Sequence, residues 1–140
     1  MHALIFGCGY LGRRVARAWI QEGFTVYALT RSARNCDALA QLGVNPLIGD
    51  ICDALTLRDL PQVDVVLQAV GFDRESGKRQ DDVTIGGTQN VIDAVGHRCR
   101  RFIQISTTGV YGQNDGSWVD EESVCLPANP SGQWNREAEL

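Results

Sequence analysis

Gly7-Cys8-Gly9-Tyr10-Leu11-Gly12 follows the apolar run Ala3-Leu4-Ile5-Phe6 and precedes a stretch whose apolar residues recur at helical spacing. Strand, glycine turn, helix is the order in which a GxGxxG motif can hold the diphosphate of a dinucleotide. The first glycine permits the tight turn. The second lets the backbone approach the diphosphate, and the third lets the helix pack against the strand. Free amide N–H groups at the helix start, with the positive end of the helix dipole, then attract the phosphates. Gly7, Cys8, Gly9, Tyr10, Leu11 and Gly12 are therefore the first candidate binding residues.

Beyond this turn, short strand-like runs alternate with helical periodicity, the mark of βαβ units and a parallel sheet. The pattern predicts strands at 2–6, 25–29, 44–48, 63–70 and 101–105. It predicts helices from Leu11 to Glu22, with Leu11, Val15 and Trp19 on one face, and from Ser32 or Asn35 to about Gln41. A short helix follows, capped by Asp53 and ended at Leu60 by Pro61. Another starts at Asp81 or Asp82 and stops at Gly96, and a last one covers 133–140. The polar stretch Gly71 to Gln80 reads as a surface loop, and Pro46 favours an edge position for the third strand. Right-handed crossovers then favour one fold class: a Rossmann-type doubly wound α/β domain with strand order 3-2-1-4-5. The fifth strand is left as an open edge, available for pairing with a second copy of the chain as a homodimer. Because the sequence stops inside a helical pattern, it reads as the dinucleotide-binding portion, residues 1–140, of a longer protein whose substrate lobe lies elsewhere.

Composition narrows the function classes. One domain of 140 residues, 44% hydrophobic, is ordinary for a globular protein. No apolar run approaches the about 20 residues needed to cross a bilayer, which argues against a membrane protein. A net charge of −4 argues against nucleic acid as a partner. Cys8, Cys36, Cys52, Cys99 and Cys125 lack the spacing of a zinc site, and their odd number reads as reduced thiols in a cytoplasmic protein. Cys8 lies in the phosphate turn, where a helix start can lower a thiol's pKa; a small residue filling the turn is the blander reading.

The second strand bears on the choice of cofactor. Sites selective for NAD carry an Asp or Glu about 20 residues past the glycines, bonded to the ribose 2′-hydroxyl. Here that point reads Ala28-Leu29-Thr30-Arg31-Ser32-Ala33-Arg34, with no carboxylate before Asp37. A guanidinium can bond a 2′-phosphate that a carboxylate would repel. NADP is thus the expected cofactor in preference to NAD, with Arg31 as main contact and Ser32 or Arg34 assisting.

Ser106-Thr107-Thr108-Gly109-Val110-Tyr111-Gly112, together with the glycine turn, Gly49-Asp50-Ile51-Cys52-Asp53 and Gly87-Thr88-Gln89-Asn90-Val91, resembles the NAD-dependent epimerase/dehydratase family, the extended short-chain dehydrogenases/reductases. The resemblance implies that Asp50 and Ile51 lie against the adenine, that Ala69, Val70 and Gly71 line the cofactor, and that Ser106 borders its reactive end. It places Thr107 as the catalytic hydroxyl, donating to a substrate oxygen as charge develops there; Tyr111 reads as packing. Three departures stand out. The turn is GxGxxG where extended members carry GxxGxxG, and Thr84 stands where many members have Asn. The family's YxxxK pair is also missing, with Ser131 and Asn135 at the Tyr and Lys positions. The resemblance implies an NAD(P)-dependent oxidoreductase or epimerase-like enzyme of atypical type acting on a small molecule, with nucleotide sugars as one class. The missing pair keeps open a non-catalytic module that binds or senses NADP(H).

Overall fold

A computed structural model describes residues 1–140. The first strand, β1 (His2–Phe6), is the centre of the molecule, and Ala3, Leu4, Ile5 and Phe6 are all fully buried. A strand covered on both faces has no polar side to alternate, which is why this segment reads as a continuous apolar run. Around it stand β2 (Thr25–Thr30), β3 (Asn45–Ile48), β4 (Val65–Gln68) and β5 (Arg101–Gln104). All four pairings are parallel, and the order is β3-β2-β1-β4-β5. This is the doubly wound arrangement predicted from the alternation of elements. Pro46 sits in β3, an edge strand, where its missing N–H costs the sheet nothing.

Successive β1 side chains feed two cores. Ala3 and Ile5 pack on one face with Ala16 of helix α1 (Tyr10–Gln21) and Leu39 of α2 (Arg34–Ala40). Leu4 and Phe6 pack on the other with Val91 and Val95 of α3 (Gly87–Val95). The face predicted for α1 is rotated from the one observed. Gly12 and Ala16 are its buried residues, Leu11 is exposed, and Val15 and Trp19 are half-buried. Small residues let the helix axis come close to the sheet, so the bulky ones flank the contact.

Other boundaries differ from expectation as well: the short helix capped by Asp53 ends at Leu57 and not at Leu60. β4 is shorter than the predicted 63–70 at both ends, although the Ala69 N–H still donates to the Phe6 carbonyl at 2.8 Å. The helix leading into α3 already begins at Gln80 and passes through a π-helical turn, Asp82–Gly86, a local widening frequent near functional sites. The last helix, α4 (Pro130–Glu139), starts three residues before the predicted Gln133. Asn129 caps it by accepting from the Gly132 N–H at 2.9 Å, and Pro130 fits the first turn, where no N–H is needed. No helix of the chain is long and apolar enough to cross a membrane.

Candidate functional site

A cavity of about 760 Å3 opens where the carboxyl ends of β1 to β4 meet, across the point at which strand order reverses. Such a switch point is where open α/β sheets take their ligands, because the loops leaving neighbouring strands diverge there. Gly7 has φ +84°, a left-handed conformation that side chains disfavour, and a Cβ on it would lie 2.5 Å from the Ala69 carbonyl. That close approach seats the turn against the end of β4. Gly12 serves packing: a Cβ there would lie 2.5 Å from the Gly7 carbonyl oxygen. A Cβ on Gly9, in contrast, would meet nothing within 4 Å, so the backbone faces open space.

The start of α1 is bare. Its first intrahelical bond is Arg13 N–H to the Gly9 carbonyl at 3.0 Å. No side chain caps it, and its first turn holds no acidic residue. The N–H groups ahead of Arg13 therefore lack helical acceptors, with the positive end of the dipole behind them. A dinucleotide diphosphate fits this cradle in charge and hydrogen-bonding sense. Cys8 also lines the cavity. Burial pushes its thiol pKa up, with Arg13 offsetting part of the rise, a direction opposite to that of an activated thiol.

Farther along, Arg31 and Ser32 follow β2, and Asp50 and Ile51 follow β3. Asp50 is fixed through its own loop. Its Oδ1 accepts from the Cys52 N–H at 2.9 Å, and its backbone N–H donates to Thr56 Oγ1 at 2.9 Å. Burial pushes the Asp50 carboxyl up, but the Cys52 N–H and the Lys78 ammonium together hold it below the usual carboxylate range. Ala69, Val70 and Gly71 complete the wall beside β4.

Of the candidates read from sequence, the fold thus gathers Gly7, Cys8, Gly9, Tyr10, Leu11, Arg31, Ser32, Asp50, Ile51, Ala69, Val70 and Gly71 around one cavity. Gly12 lies buried beneath it. Arg34 is exposed at the start of α2, with its backbone N–H on Ser32 Oγ at 3.3 Å, and does not line the cavity. Ser106 and Thr107 are exposed beyond β5 and are not among the wall residues either. Thr107 Oγ1 accepts from the Gly109 N–H at 3.2 Å, capping the turn Thr108–Val110, which leaves its own proton free to donate.

Sequence reading missed the opposite rim. The loop read as a plain surface segment folds back so that Asp73, Ser76 and Lys78 line the cavity. Lys78 Nζ lies 3.2 Å from Asp50 Oδ2, and Arg31 Nη2 lies 3.1 Å from Asp73 Oδ2. Asn90, within the G-T-x-N segment, also has a structural part: its Nδ2 donates to the Ile51 carbonyl at 2.8 Å. Ser131 Oγ accepts from Gln80 Nε2 at 2.7 Å, and Asn135 Nδ2 donates to the Ser131 carbonyl at 2.8 Å. Both side chains are engaged in structural bonds.

Residues 3–135 match the NAD dependent epimerase/dehydratase family. The chain is 30% identical to sterol demethylase protein B of Methylococcus capsulatus, over 97% of its own length and 43% of that protein's. It is 29% identical to a 4-hydroxy-2-methyl-3-oxo-4-farnesyl-3,4-dihydroquinoline-1-oxide ketoreductase of Stigmatella aurantiaca, over 89% of this chain and 38% of that one. Among solved structures, UDP-glucuronic acid 4-epimerase of Bacillus cereus, in complex with UDP-glucuronic acid and NAD, superposes with a TM-score of 0.74 at 25% identity, covering 99% of this chain and 50% of that one. The chain therefore spans about two fifths of the length of these curated relatives and half that of the epimerase.

Proposed function

The chain belongs to the NAD dependent epimerase/dehydratase family, and from that premise we propose that it binds NADP(H) along the cavity and serves hydride transfer on a small molecule. The class is oxidoreductase or epimerase-like, and a nucleotide sugar is the substrate favoured by the likeness to the UDP-glucuronic acid epimerase. A bound nicotinamide supplies hydride donation and acceptance; the protein supplies binding, orientation and electrostatics. One observation carries the reading: the uncapped start of α1 faces a cavity whose wall beyond β2 presents Arg31 and no carboxylate of its own strand end. The α1 amides would hold the diphosphate, Asp50 and Ile51 the adenine, and Arg31 with Ser32 the 2′-phosphate. Thr107 would donate its free proton to a substrate oxygen. Arg34 assists only as a distant charge, since it stands off the wall.

Titration with NADPH and NADH tests the reading. NADPH should bind more tightly, and Arg31→Ala should lower NADPH affinity by about tenfold, the size of a charge-assisted bond, while leaving NADH unchanged. Tighter binding of NADH, or no loss in Arg31→Ala, overturns the NADP assignment.

A second reading, a non-catalytic NADP(H)-binding or sensing module, rests on the missing YxxxK pair, with Ser131 and Asn135 at its two positions. A serine hydroxyl has too high an intrinsic pKa to replace a tyrosine unaided, and an amide carries no charge to lower it. Solvent exchange at a substrate C–H, measured across a nucleotide-sugar panel with the cofactor-loaded full-length protein, separates the two. Exchange supports the enzyme, and its absence across the panel supports the module.

A further inference from the structure

The rim loop between β4 and the π-helical turn is pinned to the opposite wall by two ion pairs of unequal shelter. Asp73 and Arg31 are 49% and 52% exposed; Asp50 and Lys78 are 26% and 35% exposed. Within the loop, Asp73 Oδ1 accepts from the Glu75 N–H at 3.0 Å, and Ser76 Oγ donates to the Asp73 carbonyl at 2.6 Å. The carboxylate is thus held by a compact turn while its second oxygen faces Arg31. Two cations and two carboxylates meet here, so the adenosine end is electrically balanced before any ligand arrives.

We infer that Asp73 is a specificity-determining residue: its carboxylate occupies Arg31 in place of a 2′-phosphate and must yield the guanidinium when one binds. The inference rests on the reading of Arg31 as the 2′-phosphate contact. An exposed carboxylate–guanidinium pair is weak and screened by salt. A phosphate dianion offers more charge and a bidentate partner, so it can win the exchange, at a cost to affinity set by the pair it breaks. A cofactor without the 2′-phosphate leaves Arg31 on Asp73. The better sheltered Lys78–Asp50 pair keeps the far end of the loop in place, so release is confined to the turn around residues 73–76. The loop would therefore report which dinucleotide is bound as well as weighing against the phosphorylated one.

The test uses adenosine 2′,5′-bisphosphate and ADP as probes, with binding measured by calorimetry and loop protection by hydrogen exchange. Asp73→Asn keeps an oxygen for the Glu75 N–H and removes the charge. It should raise affinity for the bisphosphate about three- to fivefold, the size of an exposed ion pair, with ADP changed less than about twofold. Glu75→Gln, which removes a neighbouring charge with no ion pair to Arg31, should move neither probe beyond about twofold. In the unaltered protein the bisphosphate should raise exchange in residues 73–76 and ADP should not. Equal gains for both probes in Asp73→Asn, no gain, or the same gain in Glu75→Gln would overturn the proposal. The underlying reading fails separately: Arg31→Ala would then leave bisphosphate affinity intact.

Discussion

Asn90 Nδ2 donates to the Ile51 carbonyl at 2.8 Å, tying α3 to the loop that follows β3. Ile51 is buried, and Gly87, one turn earlier on the helix, has no Cβ because one would lie 2.6 Å from Ile51 Cδ1. The G-T-x-N segment thus acts at a distance, setting the wall on which an adenine would rest. Asn90→Ala removes the donor and leaves a half-buried carbonyl without its partner. Stability should fall by about 1–2 kcal/mol in urea unfolding, and affinity for ADP should fall with it. Unchanged ADP affinity at reduced stability would show that Asn90 supports the fold without shaping the wall.

Gly12 and Gly9 separate packing from binding within one motif. In Gly12→Ala the new methyl would sit 2.5 Å from the Gly7 carbonyl oxygen, a backbone atom that cannot rotate away. The expected loss is about 1–3 kcal/mol, exceeding the about 1 kcal/mol that Ala gains over Gly inside a helix. Gly9→Ala meets no atom within 4 Å. Its unfolding midpoint should stay near that of the unaltered protein, while the methyl projects where a diphosphate would approach and lowers NADPH affinity by at least about tenfold. Equal destabilisation by both would refute this division of labour.

The sheet order and the cradle were legible in the sequence for a physical reason. Burial on both faces forces apolar runs, and the turn between β1 and α1 demands a residue tolerant of φ +84° at Gly7. The rim loop was not legible. Asp73 and Lys78 look like any solvated charges, and Asp73 finds its partner 42 residues away in sequence, a relationship no local pattern encodes. The start of α4 was legible in principle, since Asn129-Pro130 is a cap followed by a first-turn proline, but the same residue types also serve turns, which hides the boundary. The α1 face was misjudged because hydrophobic periodicity rewards large residues. The contact itself is made by Gly12 and Ala16.

Acid should loosen the clasp between Asp50 and Lys78. The folded protein holds the Asp50 carboxyl below its ordinary range, whereas the unfolded chain leaves it near about 4. A carboxyl depressed in this sense contributes stability above its unfolded pKa and loses that contribution as pH falls through the folded one. The difference in urea midpoint between the unaltered protein and Asp50→Asn should therefore be largest above about pH 5 and shrink toward pH 3. A difference constant across that window would show that the ion pair with Lys78 at 3.2 Å contributes nothing that titrates.

Gln68 is the one residue whose chemistry its surroundings leave unanswered. It ends β4, level with Phe6 of β1 and Gln104 of β5, and is only 4% exposed. Its Nε2 reaches Thr88 Oγ1 at 3.5 Å, a long contact, and its Oε1 has no hydrogen-bond partner. A buried acceptor in that state loses its hydration without recovering it, a cost of about 1–3 kcal/mol. Leu is close in volume and carries no polar atom to satisfy. Gln68→Leu should therefore raise stability by about 1 kcal/mol, and the melting temperature by about 3 °C for a chain of this size. A drop would mean that the oxygen is bonded in solution, with a trapped water the simplest donor. Gln68→Met, equally apolar but flexible enough to leave room for a water, would then fall less than Leu.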